Sequence, residues 1–169
     1  QVDGAEATAE RFLARAPHAS WIHVAGHGAF DARDAGRMGL RLADRWLLAE
    51  ELEGLRLGAR WVTLSACHTA RALVEPGEEW FGLVRTLLAA GAGSVLAAQW
   101  DVDDAATRTL MAAVYDRVSR GVSMAAALAA AQAEHAAAGR HPLDWAGFVL
   151  LGGPDALRTR LDSGMEAAA

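Results

Sequence analysis

A single cysteine, Cys67, stands in the 169 residues, so no internal disulfide is possible and packing alone has to hold the fold. Lysine is absent, and the 16 basic residues are all arginine. Set against 21 acids they leave a formal charge of -5, and no basic run is interleaved with aromatics, which argues against nucleic acid as a direct ligand. No apolar run is long enough to span a bilayer, and neither a secretory leader nor a lipidation box is present. The reading is a cytoplasmic protein with no membrane partner. Gln1 is not a native start, and the chain is read as excised from something longer. His23, His27, Cys67 and His68 offer enough ligand atoms for zinc but lack the Cys-x-x-Cys or His-Glu-x-x-His spacing, so no metal is expected. Without Gly-x-Gly-x-x-Gly, a Walker lysine or a Gly-x-Ser-x-Gly elbow, nucleotide binding and serine hydrolysis are disfavoured too. No cofactor is expected.

What the chain does have is an alternation of short apolar runs with helical patterns, over a length that suits one domain. The stretch Trp61-Val62-Thr63-Leu64 reads as a buried strand that runs out through Ser65 and Ala66 to Cys67. A helix is expected over 9–16, ended by Pro17, and a strand over 20–25 is closed by the turn Gly26-His27-Gly28. The runs 38–42 and 45–48 suggest a small hairpin on the rim of the sheet, followed by a brief acidic helix over 49–53 and a connector to the central strand. Beyond Cys67 the pattern predicts a loop over 68–76, a helix over 78–90 and a strand over 94–100. Two more helices then reach to about 119 and 138, the second capped by Ser123. A strand over 146–151 and a frayed terminal helix end the chain. The fold class is α/β, with a mostly parallel central sheet flanked by helices.

The lone thiol has a bland reading as a small buried hydrophobe and a sharper one as a nucleophile at the carboxyl end of a strand, where ligands of parallel sheets collect. His27 also follows a strand. If the two strands are neighbours, the side chains meet at one edge as a Cys/His dyad in which the imidazole takes the thiol proton. The backbone N–H groups of Gly28 and Cys67 are the candidate oxyanion donors. His68 is expected to be a bystander, since alternation directs it away from its neighbour.

Five strings carry a family resemblance: His23-Val24-Ala25-Gly26-His27-Gly28, Leu64-Ser65-Ala66-Cys67-His68-Thr69, Ala90-Gly91-Ala92-Gly93-Ser94-Val95, the segment from Gln99 to Thr107, and the segment from His141 to Val149. In this order they resemble the CHAT domain, a caspase- and separase-related peptidase family. The resemblance implies a caspase-haemoglobinase-like sandwich, cysteine endopeptidase activity on a protein or peptide substrate, and His27 and Cys67 as the dyad. It further implies an attached tetratricopeptide or other sensor segment and a setting in bacterial defence or cell death. The chain departs from the family at Gly26, at His68 and at Gly77-Glu78-Glu79, where glycine is expected in the last position. One domain spans 1–169, and the family's amino-terminal strand and helix are expected to be missing from it.

The strand ending at Gln99-Trp100 is expected beside the Cys67 strand, because a single helix links the two. Its exit carries Asp101, Asp103 and Asp104. The bland account is that these acids cap the next helix. The segment also resembles the substrate-pocket strand of separase-like peptidases, which implies Asp101 and Asp103 as carboxylates facing an arginine, with Trp100 as a flat apolar wall against its stem. The competing reading of the whole chain is a catalytically silent interaction module with the same fold.

Overall fold

The computed structural model describes residues 4–25, 27–30, 38–65 and 78–153. After a short 3-10 turn, helix α1 spans Ala9–Arg15; the Thr8 side chain accepts from the Arg11 amide at its start, and Pro17 closes it into a second 3-10 turn. Strand β1 (Trp21–Val24) follows, then β2 (His27–Phe30), β3 (Met38–Arg41) and β4 (Trp46–Leu48). Helix α2 (Ala49–Glu53) leads to β5 (Trp61–Leu64), α3 (Glu78–Ala89) and β6 (Ser94–Ala98). Helices α4 (Asp104–Ser119) and α5 (Met124–Ala137) precede the last strand, β7 (Phe148–Gly152).

The strands form two sheets. The central one has the order β1-β5-β6-β7, in which β1, β5 and β6 are parallel and β7 runs against them. The expected placing of β6 beside β5 therefore holds, and β1, which leads to His27, flanks β5 on its other side. A second, antiparallel sheet contains β2, β3 and β4. Here the structure corrects the sequence reading: the hairpin is present, but the segment read as a turn around His27 is a strand that pairs with β3. His-Gly-Ala-Phe has little intrinsic strand preference, and its extended form comes from the ladder that β3 supplies, His27 opposite Arg41 and Gly28 opposite Leu40. The last strand also begins two residues later than expected, because Trp145-Ala146-Gly147 is spent on a turn after the 3-10 segment Pro142–Asp144. The loop expected over 68–76 and the terminal helix lie outside the described residues.

Side chains alternate across the central sheet as strand geometry requires. Val24, Val62, Leu64, Val95 and Ala97 face a core that they share with Leu40 and Leu47 of the hairpin, Leu52 of α2, and Leu83, Val84 and Leu87 of α3; Phe12 and Leu13 of α1 pack at its border. On the opposite face Leu96 and Phe148 pack with Leu110, Met111 and Val114 of α4 and with Leu128 and Ala131 of α5. Helix α3 stops at Gly91, whose φ of +105° suits a residue without a side chain and lets the backbone approach Leu57, where a Cβ would lie 2.7 Å from the carbonyl oxygen.

Candidate active site

Parallel pairing sets the site's geometry. Val24 and Leu64 are register partners at the ends of β1 and β5, and Leu64 is in turn the partner of Ala97 in β6. Three neighbouring strands thus end at one edge of the sheet. His27 comes three residues after Val24, and Cys67 three residues after Leu64. His27 is the first residue of β2 and Gly28 the second, so the chain crosses from the central sheet to the hairpin sheet at this point. Cys67 and His68 lie outside the described residues.

The β6 exit carries the other candidates. Trp100 donates its indole N–H to the Leu143 carbonyl at 2.9 Å, and its ring lies so close to Gly147 that a Cβ there would come within 2.6 Å of it. The indole is thereby held as a rigid plate. Asp103 is the N-cap of α4: Oδ1 accepts from the Ala105 amide at 2.9 Å and from the Ala106 amide at 3.0 Å. This is the capping role that the sequence offered for it, in which one carboxylate oxygen takes up amides that the first helical turn leaves without partners. Asp101 is exposed between these two anchored residues. Among the described residues no group of three or more His, Cys, Asp or Glu side chains could hold a metal ion, and no described helix is long and apolar enough to cross a membrane.

Sequence reasoning missed a polar cluster on the α4 face of β1 and β5. His23 Nε2 is 2.7 Å from Ser65 Oγ, and His23 Nδ1 is 2.9 Å from the Tyr115 hydroxyl. Tyr115 donates to Thr63 Oγ1 at 2.9 Å. With its one proton used there, the phenol oxygen accepts Nδ1–H, and Nε2 accepts the Ser65 hydroxyl. The Ser65 amide donates to the Val24 carbonyl at 3.1 Å, so this residue is tied to β1 twice. Trp21 and Trp61 pack edge-on beside the cluster, with Trp21 also edge-on to Tyr115. Much of His23's surface is open, yet both ring nitrogens face protein, and this withdrawal from water lowers its pKa. Burial raises that of the Tyr115 phenol, with the Thr63 hydrogen bond opposing. The available signal was the spacing Thr63-x-Ser65 inside an apolar run, which puts both hydroxyls on one face.

With the strand order known, comparison with other proteins becomes decisive. The CHAT domain family model matches residues 3–153. The chain belongs to the CHAT domain family. Its architecture is accordingly a caspase-like α/β fold, with a mostly parallel central sheet flanked by helices. This CHAT domain is similar to Tetratricopeptide repeat protein 28 of Mus musculus, 36% identical over 113 residues, and to Tetratricopeptide repeat protein 28 of Homo sapiens, 33% identical over 113 residues. Each match covers 66% of this chain but only 5% of the mouse protein and 4% of the human one. The chain spans a small fraction of the length of these relatives.

Proposed function

We propose that this CHAT domain is a cysteine endopeptidase in which Cys67 is the nucleophile and His27 its general base. The observation that carries the reading is the register of β1 and β5: the two chains leave the sheet side by side, from paired residues Val24 and Leu64, and each reaches its chemically competent residue after the same number of steps. In the reaction the His27 imidazole takes the Cys67 thiol proton as sulfur attacks the peptide carbonyl carbon. The amides of Gly28 and Cys67 are the proposed donors to the oxyanion. Collapse of the tetrahedral adduct breaks the C–N bond, the imidazolium gives its proton to the departing amine, and a thioester remains. Water, deprotonated by His27, then releases the acid and restores the thiol.

The substrate we assign is a peptide with arginine before the scissile bond. Asp101 and Asp103 at the exit of β6 would meet the guanidinium, and the fixed Trp100 ring its stem. Asp103 Oδ1 is committed to the cap of α4, so its pairing with arginine would use Oδ2. We further propose a tetratricopeptide segment as a regulatory partner, a reading supported by the relatives' name, Tetratricopeptide repeat protein 28.

Cleavage of peptides that differ only in the residue before the scissile bond tests this. Cys67→Ala is expected to abolish cleavage with the melting temperature unchanged, and His27→Ala to slow both cleavage and the alkylation of Cys67 by iodoacetamide. Parental cleavage by Cys67→Ala would end the assignment. Equal cleavage after aspartate, or an arginine preference untouched by Asp101→Asn and Asp103→Asn, would remove the pocket. A second reading, a silent interaction module, is favoured by the relatives' printed name, which speaks of repeats and of no peptidase. It predicts a Cys67 with ordinary thiol reactivity that His27→Ala leaves alone.

A further inference from the structure

The cluster of His23, Ser65, Tyr115 and Thr63 has no part in the dyad chemistry, and it stands where that chemistry would need mechanical support. We infer that His23 is a positioning residue, whose hydrogen bonds to Ser65 and Tyr115 lock the exits of β1 and β5 together and so set the approach of the Cys67 thiol to the His27 imidazole. This rests on the dyad reading above.

Three observations converge. First, Ser65 is the last described residue before the cysteine, two positions ahead of it, and it is buried. Its hydroxyl meets His23 Nε2 at 2.7 Å while its amide meets the Val24 carbonyl at 3.1 Å. The chain that leads to the nucleophile is therefore gripped from β1 by both a side chain and the backbone. Second, His23 belongs to the strand that leads to His27, four residues before it. The same imidazole thus touches the route to each member of the pair. Third, the ring has a support of its own. Tyr115 reaches down from α4 to Nδ1 at 2.9 Å and to Thr63 at 2.9 Å, and Thr63 is the register partner of His23. The second nitrogen of a histidine decides how its first one is aimed, and a chain of hydrogen bonds of this kind is stiffer than its separate members.

A purely structural cluster would affect stability alone. A positioning cluster should change thiol reactivity out of proportion, since a displacement of about 1 Å at a reacting pair costs on the order of a hundredfold in rate. The test measures the second-order rate of Cys67 alkylation by iodoacetamide from pH 5 to 9, beside the melting temperature, for the wild type, His27→Ala, Ser65→Ala, Tyr115→Phe and His23→Gln. Ser65→Ala and Tyr115→Phe remove one hydroxyl each without touching the imidazole, so the test stands even if a substitution at His23 disturbs folding.

The expected result is a wild type whose alkylation extends to low pH and depends on His27. Ser65→Ala should lower its neutral-pH rate about tenfold and move its midpoint toward that of an ordinary thiol, with Tyr115→Phe giving a smaller change in the same direction. Gln at 23 retains an amide near the Nε2 position, so His23→Gln should fall between wild type and Ser65→Ala. A fast, His27-dependent wild type whose rate and profile persist in Ser65→Ala and Tyr115→Phe overturns the positioning role and leaves the dyad standing. Losses that simply follow the melting temperature overturn it as well. A wild-type thiol of ordinary reactivity, indifferent to His27→Ala, overturns the dyad and the positioning role together.

Discussion

The strands β1 and β5 present two unlike faces. On one, Val24, Val62 and Leu64 are buried among the aliphatic side chains of the hairpin sheet, α2 and α3. On the other, Trp21, His23 and Thr63 meet Tyr115 of α4 through a ring edge and hydrogen bonds, while Ser65 bonds to His23 and Trp61 packs edge-on to Trp21. One pair of strands is thus glued on one side and aimed on the other. Apolar burial is non-directional and contributes most of the stability, whereas hydrogen bonds contribute about 1 kcal/mol each but fix angles. The farther half of the same α4-side face makes the point again: where β6 and β7 take over, Leu96 and Phe148 restore a plain apolar contact. Among the described residues the hydrogen bonds of His23 and Tyr115 join β1 to β5, the two strands that lead to His27 and Cys67.

Substitution on the two faces should break this contrast most visibly. Leu64→Ala removes a buried side chain from the apolar face, and the cost expected is about 3 kcal/mol. For a domain of this size that corresponds to a fall in melting temperature of roughly 6–12 °C. Tyr115→Phe on the other face removes a hydroxyl but keeps the ring beside Trp21, so its stability cost is expected to be about 1 kcal/mol or less. Thermal or denaturant melts of the two variants check the ratio. Equal losses would mean that the polar face is held as firmly as the apolar one.

The apolar face was legible in the sequence, and its partner was not. Val62, Leu64, Val95 and Ala97 lie in two short apolar runs bounded by glycine and small residues, the signal of strands buried in a parallel sheet. The pairing of β5 with β6 followed from the one-helix crossover between them, whereas that of β1 with β5 entered only as a condition of the dyad. The polar face depends on Tyr115, which stands 92 residues from His23 in sequence, and no local pattern announces a contact of that separation. Strand β2 escaped for a related reason: Gly28 and its neighbours read as a turn, and only pairing with β3 makes them extended. The proposed dyad was read from two residue types at strand exits; the hydrogen bonds of His23 beside those exits were not.

A smaller effect separates two roles of one carboxylate at the start of α4, the helix that covers the polar face. Asp103 holds the Ala105 and Ala106 amides. Asn is as good an N-cap as Asp and Ala is much poorer, so Asp103→Ala should cost about 1 kcal/mol while Asp103→Asn should be near neutral in stability. Both remove the charge. If arginine selectivity falls equally in the two variants, the charge at 103 matters to the substrate. If it falls in the alanine variant alone, the residue acts by holding α4 in place.

The smallest expected effect is the dependence of the polar face on pH. The hydrogen-bond partners of His23 among the described residues are Ser65 and Tyr115, and neither is a carboxylate that would compensate a positive ring. Burial accordingly holds the His23 pKa below its ordinary value of 6.5. Between the folded-state pKa and 6.5 the unfolded chain binds a proton that the folded chain refuses, so stability rises with pH across that interval and is lost as pH falls through it. Above it both states are neutral at this position and the contribution is complete. The ring also has a way to yield: once protonated, Nε2 would donate to Ser65 Oγ, whose own proton could turn to the Val24 carbonyl at 3.4 Å. That longer contact and the partial exposure of the ring keep the penalty small. Melting temperatures of wild type and His23→Gln between pH 7.5 and 5 check this, and only the difference counts, because other histidines and the carboxylates also titrate. The wild type should lose more stability than the variant as the pH is lowered. Parallel curves would mean that the imidazole carries its proton equally well in both states, and that the polar face is as indifferent to pH as the apolar one.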